Sequence, residues 1–128
     1  MTRQGTRSPI AHAIGLGSAK SGVEHWWAER VSAIALIPLT SWLLISLVSR
    51  SRTDYADFII WLQKPGVMVA MILLLIFLFH HAALGLQVVI EDYVHSGAKY
   101  AAVIFVCVGC FALAIAGIVA TLKVGMAG

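Results

Sequence analysis

The chain has 128 residues, of which 60% are hydrophobic and only 12% charged, with a formal net charge of +3. Soluble globular domains carry about 25% charged residues, so the composition excludes that class and points to a lipid membrane. The small positive charge follows from membrane topology and gives no ground for a nucleic-acid partner.

Residues 1–23 read as a polar N-terminal tail, rich in Gly, Ser and Pro and without an acid before Glu24. The apolar part is too short and too broken by Gly, Pro and His for a secretory signal. Such a stretch is expected to be irregular until it docks on something. The membrane domain then occupies 24–128. Three runs lack Asp, Glu, Lys and Arg altogether: 31–49, 65–90 and 100–122. Each meets the roughly 17–25 residues that cross a hydrocarbon core of about 30 Å. The expected fold is all-α, an integral membrane protein with three transmembrane helices at about 24–49, 66–94 and 98–123.

The first helix contains Pro38, which predicts at most a kink, because neighbouring groups in a membrane helix can satisfy the freed carbonyl. Between helices one and two, the stretch from Asp54 to Gly66 reads as a loop with an interfacial turn, DFIIWL, before Pro65 opens the second helix. Trp42 and Trp61 read as members of an aromatic belt. In the third helix, Cys107 and Cys110 read as small packing residues, since a metal site of thiolates wants four of them. Gly109, Ala112, Ala116 and Ala120 are spaced to allow close helix contact.

Lys and Arg counts set the orientation. Arg3, Arg7, Lys20, Arg30 and Lys99 fall on the N-terminal side, against Arg50, Arg52, Lys64 and Lys123 opposite. The N-terminus and the loop from Glu91 to Lys99 are therefore placed in the cytoplasm. A bacterial inner membrane is preferred to a mitochondrial one.

The second helix carries the chemistry. Between Gly66 and Ile90 nothing is ionisable except His80 and His81, and Glu91, Asp92 and Tyr93 follow where the helix would emerge. An ionisable side chain at bilayer depth marks a functional site by default, with a partner to be named. His81 and Asp92 lie about 20° apart around the axis and about 16 Å apart along it, so they share one face. His80 points about 100° away, so the two histidines cannot both be axial ligands of one iron. The small residues Ala82, Ala83 and Gly85 leave room beside His81 for a flat haem or for a closely packed helix. The charge-free runs of helices one and three, 31–49 and 100–122, contain no histidine, so a second haem ligand at that depth would come from another polypeptide. On the residues alone, His81 is either half of a haem site at a subunit interface or a hydrogen-bonded interior histidine. Tyr93 and Asp92 could equally be an interfacial anchor and a helix-end acid.

The segment HAALGLQVVIEDYV, with His81, Gly85, Asp92 and Tyr93 in register, resembles the hydrophobic membrane anchor subunit family of succinate dehydrogenase, respiratory complex II. SAKSGVEHWWAERVSAIAL, residues 18–36, is similar to that family's stretch before its first helix. The resemblance covers most of the chain, and its specific part is the spacing from His81 to Asp92–Tyr93. It implies a four-chain complex. A flavoprotein subunit oxidises succinate, an iron–sulfur subunit carries the electrons, and this chain packs with a cytochrome b membrane subunit into a haem-binding helical bundle. By that resemblance His81 is one axial ligand of haem b, shared with the partner, and therefore the ligand to the haem iron. Tyr93 contacts ubiquinone, Asp92 tunes the quinone pocket or helps proton entry, and Arg30 lies near the haem propionates and quinone pocket. The sister cytochrome b subunit is the competing assignment, and its histidine–arginine motifs are missing here. The chain alone has no flavin or iron–sulfur motif and would be non-catalytic without its partners. A fumarate reductase-type anchor, another quinone-linked cytochrome b anchor and a non-catalytic membrane scaffold or assembly protein are the alternatives.

Overall fold

The computed structural model describes residues 17–127, with side chains from Gly22 onward. The expected tail therefore lies largely outside the described residues. Four helices account for nearly all of the rest: α1 (Gly17–Ser49), α2 (Tyr55–Leu62), α3 (Pro65–Tyr93) and α4 (Ala98–Gly125). The portion Gly22–Ser49 of α1, together with the whole of α3 and α4, is long and apolar enough to cross a membrane. The protein is thus an all-helical, multi-pass membrane chain.

The helix ends follow local chemistry. α1 is already helical at Gly17, inside the segment expected to be an irregular tail. Ala19 and Lys20 are good helix formers, and a helix already running in the apolar segment extends backward at the low cost of propagation. Pro38 sits within α1 without ending it. Close by, the hydroxyl of Thr40 donates to the Leu36 carbonyl at 2.6 Å and that of Ser41 to the Ile37 carbonyl at 2.7 Å. Such back-bonding keeps polar side chains satisfied in a span facing lipid. α3 opens with Pro65 in its first turn, where the missing N–H costs nothing.

The DFIIWL stretch is a true helix, α2, rather than a turn. Asp54 caps it, its side chain accepting from the Tyr55 N–H at 2.8 Å. Trp61 is buried, at 6% exposure. Its ring lies 5.5 Å from that of Phe58 and 6.1 Å from that of Trp42, and the Arg50 guanidinium sits 4.5 Å over it. Trp61 therefore pins the short helix to the end of α1.

α3 is the central element. It packs along α4 and along α1, whereas α1 and α4 make no direct backbone approach among the described residues. The three spans thus stand in a row. Few side chains are buried in such an arrangement; Ser32, Ser46, Trp61, Val67 and Leu74 are. The many exposed Ile, Leu, Val and Phe side chains suit lipid or a neighbouring membrane helix, since hydrocarbon is as apolar as leucine.

The α3–α4 seam depends on glycine. A Cβ on Gly117 would lie 3.0 Å from Leu75 Cδ1, and one on Gly125 would collide with Met68. Nothing lies within 4 Å of a Cβ built on Gly109, and Ala112, Ala116 and Ala120 are exposed. Ala120 lines a small pocket with Met71 of α3. Cys107, Cys110, Ala114 and Gly117 form the face that meets it, repeating at the three- and four-residue steps of a helix face.

Candidate functional site

His81 lies on the side of α3 that faces α1. Its Nδ1 is 3.0 Å from the hydroxyl oxygen of Ser32, a contact between residues 49 positions apart. Ser32 is only 1% exposed, so this is a closed polar contact within an otherwise apolar helix interface. The same hydroxyl donates to the Glu29 carbonyl at 2.9 Å. His81 itself is half-buried. One turn further along α3, a Cβ on Gly85 would meet nothing within 4 Å, so the flank of α3 beside His81 is open.

His80 points elsewhere, as the 100° step requires. It is exposed and lines an apolar groove of about 460 Å³ between α3 and α4, with Ala83, Gln87, Cys107 and Cys110. Gln87 donates to the Glu91 carboxylate at 3.0 Å. The two cysteines are free thiols and serve this seam.

Asp92 and Tyr93 occupy the last turn of α3 and are exposed, Tyr93 at 81%. Since α3 is one unbroken helix, Asp92 stays on the His81 stripe, about 16 Å further along, and Tyr93 projects about 100° from Asp92. Arg30 is exposed on α1, with its guanidinium 5.1 Å over the Trp26 ring. Trp26 and Trp27 meet edge to face at 5.2 Å. Arg30 lies two residues before Ser32, about 200° around the helix, so it leaves α1 away from the His81 contact. The fold brings together His81 and Ser32. Arg30 lies about 3 Å along α1 from Ser32, close to the level of His81, whereas Asp92 and Tyr93 stand at the end of α3, about 16 Å further along.

His25 is half-buried on α1 and its Nε2 has no hydrogen-bond partner among the described residues. No three His, Cys, Asp or Glu side chains converge among those residues in a way that could hold a metal ion. Any metal that took His81 as a ligand would need donors from outside them.

Ser32 is the site residue that the sequence reading missed. Its sequence signal is slight: a lone hydroxyl within an apolar run, 49 positions from its partner. Only the pairing of α1 with α3 reveals the contact.

Residues 4–117 match the model of the succinate dehydrogenase/fumarate reductase transmembrane subunit family. Among similar curated proteins is the succinate dehydrogenase hydrophobic membrane anchor subunit of Rickettsia bellii, 40% identical over 69% of this chain and 70% of the relative. Its counterpart in Rickettsia conorii is 37% identical over 69% and 71%. That of Paracoccus denitrificans is 30% identical over 93% and 92%. No solved structure matches the chain significantly. The shared family, the three apolar spans and a hydrogen-bonded histidine at mid-span agree, and the chain belongs to the succinate dehydrogenase/fumarate reductase transmembrane subunit family, as a hydrophobic membrane anchor subunit.

Proposed function

We propose that this anchor supplies one half of a haem b site through His81 and one wall of a ubiquinone site through Tyr93 and Asp92. The cytochrome b membrane subunit supplies the other half, and the flavoprotein and iron–sulfur subunits deliver electrons from succinate. The reading places the complex in a bacterial inner membrane with the N-terminus cytoplasmic. The observation that carries it is the state of His81: one ring nitrogen is held by Ser32 at 3.0 Å, and the flank at Gly85 is open.

The residues fit the group. Histidine is a common axial ligand of haem iron. Its Nε2 remains to bind iron because Nδ1 is occupied. An open flank at a glycine admits a flat ring close to the backbone. Haem b, when bound, supplies one-electron redox chemistry at the bilayer interior. This chain's own groups then divide the remaining work. Arg30, about 3 Å along α1 from Ser32, provides a fixed positive charge between the level of His81 and the end of α3, where propionates and the quinone pocket would lie. Tyr93, exposed at the end of α3, donates its phenolic O–H, in this reading, to a quinone carbonyl arriving from lipid. Asp92, beside it and on the His81 stripe, can pass protons from water, since a quinone takes up two on reduction and needs an acid within hydrogen-bond reach.

The test is the native complex purified through this chain, compared with a His81→Ala variant. The proposal expects succinate oxidation by a soluble dye to persist while bound haem is lost or spectrally displaced. Unchanged haem in a fully assembled variant would sink it.

A further inference from the structure

We infer that Ser32 is a positioning residue for His81: it fixes the imidazole's tautomer and direction so that Nε2 is the nitrogen offered to iron. The inference rests on the proposed haem role of His81 and adds the residue that makes His81 competent.

Proton counting carries the argument. The Ser32 hydroxyl has one hydrogen and two close polar neighbours, the Glu29 carbonyl at 2.9 Å and His81 Nδ1 at 3.0 Å. A carbonyl can only accept. Were the hydroxyl to donate to Nδ1, its oxygen would face the Glu29 carbonyl with no proton between them. When it donates to the carbonyl instead, its lone pairs face Nδ1, which must then carry the hydrogen. Both contacts are satisfied only in that arrangement. For the neutral imidazole, the form that can ligate a metal, this is the Nδ1–H tautomer, whose bare lone pair is on Nε2. Ser32 is 1% exposed, so water has no ready access to the serine side of the contact. α1 thereby acts as a template for a ligand on α3.

Ligating histidines generally donate their second N–H to an acceptor, which orients the ring and raises its basicity. Loss of such an acceptor typically costs about 10–100-fold in metal affinity or activity. Ser32 provides that acceptor from within the same chain, without the partner subunit. Removing it should weaken electron donation to oxidised iron, so the haem midpoint potential should rise.

The experiment compares native complexes carrying wild-type chain, Ser32→Ala, Ser32→Thr and Ser32→Val. It reads haem per complex, the rate of haem transfer to an added apoglobin, and the midpoint potential by redox titration. Threonine and valine have nearly the same shape and differ in the hydroxyl, so they separate the hydrogen bond from packing even if the alanine variant assembles poorly. The expected result is faster haem loss, about 10–100-fold, and a raised potential in the Ala and Val variants, with Thr close to wild type. Equal potentials and loss rates in Thr and Val, with haem present in both, would overturn the role of Ser32 and leave His81 as ligand. A wild-type complex without haem would overturn the haem reading itself, and this inference with it.

Discussion

Two neighbouring histidines on α3 have opposite surroundings, and the difference lies in which helix each one meets. His81 faces α1, where Ser32, nearly fully buried, closes on its Nδ1. His80 faces the α3–α4 groove, lined mainly by apolar side chains and two cysteines. The α1 side is a polar contact between two helices that leaves one ring nitrogen available. The α4 side is a seam of small residues, with Gly117 against Leu75. A buried polar group is costly unless it is bonded, and a glycine contact gains its energy from close packing. One face of α3 therefore carries a bonded histidine, the ligand holder of the proposed function, and the other holds helices together.

Substitutions on the two faces should separate these roles. The largest effect is expected at His81. His81→Ala should remove or displace haem while succinate oxidation by a soluble dye is retained, as difference spectra and dye-linked assays of the same preparation would show. On the other face, Gly117→Leu should force α4 off Leu75 and cost about 1–3 kcal/mol of stability. A lowered thermal midpoint of the detergent-purified complex, with the haem spectrum intact below it, is the expected signature. Loss of haem without loss of stability would mean that the two faces are not separate.

Beyond both faces, at the helix end, Tyr93→Phe should leave haem content and stability unchanged. It should slow quinone reduction about tenfold, the worth of one hydrogen bond of ~1.4 kcal/mol. An equal fall in dye reduction would instead indicate misassembly. The smallest effect is expected for His80→Ala. This residue is exposed in its groove, so haem content and quinone reduction should both match wild type. A haem defect as large as that of His81→Ala would reverse the assignment of the two faces.

The spans, their order and the separate directions of His80 and His81 were legible in the sequence, because charge-free length and a 100° step depend on local chemistry alone. The pairing of helices was not. Nothing in RVSAIAL says that Ser32 meets a histidine 49 residues away, and that contact arises only because α1 and α3 pack side by side. The same holds for Trp61, whose burial depends on Arg50, Phe58 and Trp42 gathering around it. On α4 the small residues gave the right kind of interface without naming the face that meets α3. Several small-residue rows run along that helix, and only the docked neighbour selects the one through Gly117. That the chain is helical from Gly17 to Val23 also escaped the reading, because glycine and serine there look like tail by composition while a helix already formed propagates cheaply.

The most direct test is a reduced-minus-oxidised visible spectrum of the native complex isolated through this chain, taken in parallel for wild type, His80→Ala and His81→Ala. The account predicts a b-type haem signal in wild type, the same signal in His80→Ala, and its loss or displacement in His81→Ala. A wild-type complex without that signal, or one indifferent to His81, would contradict it.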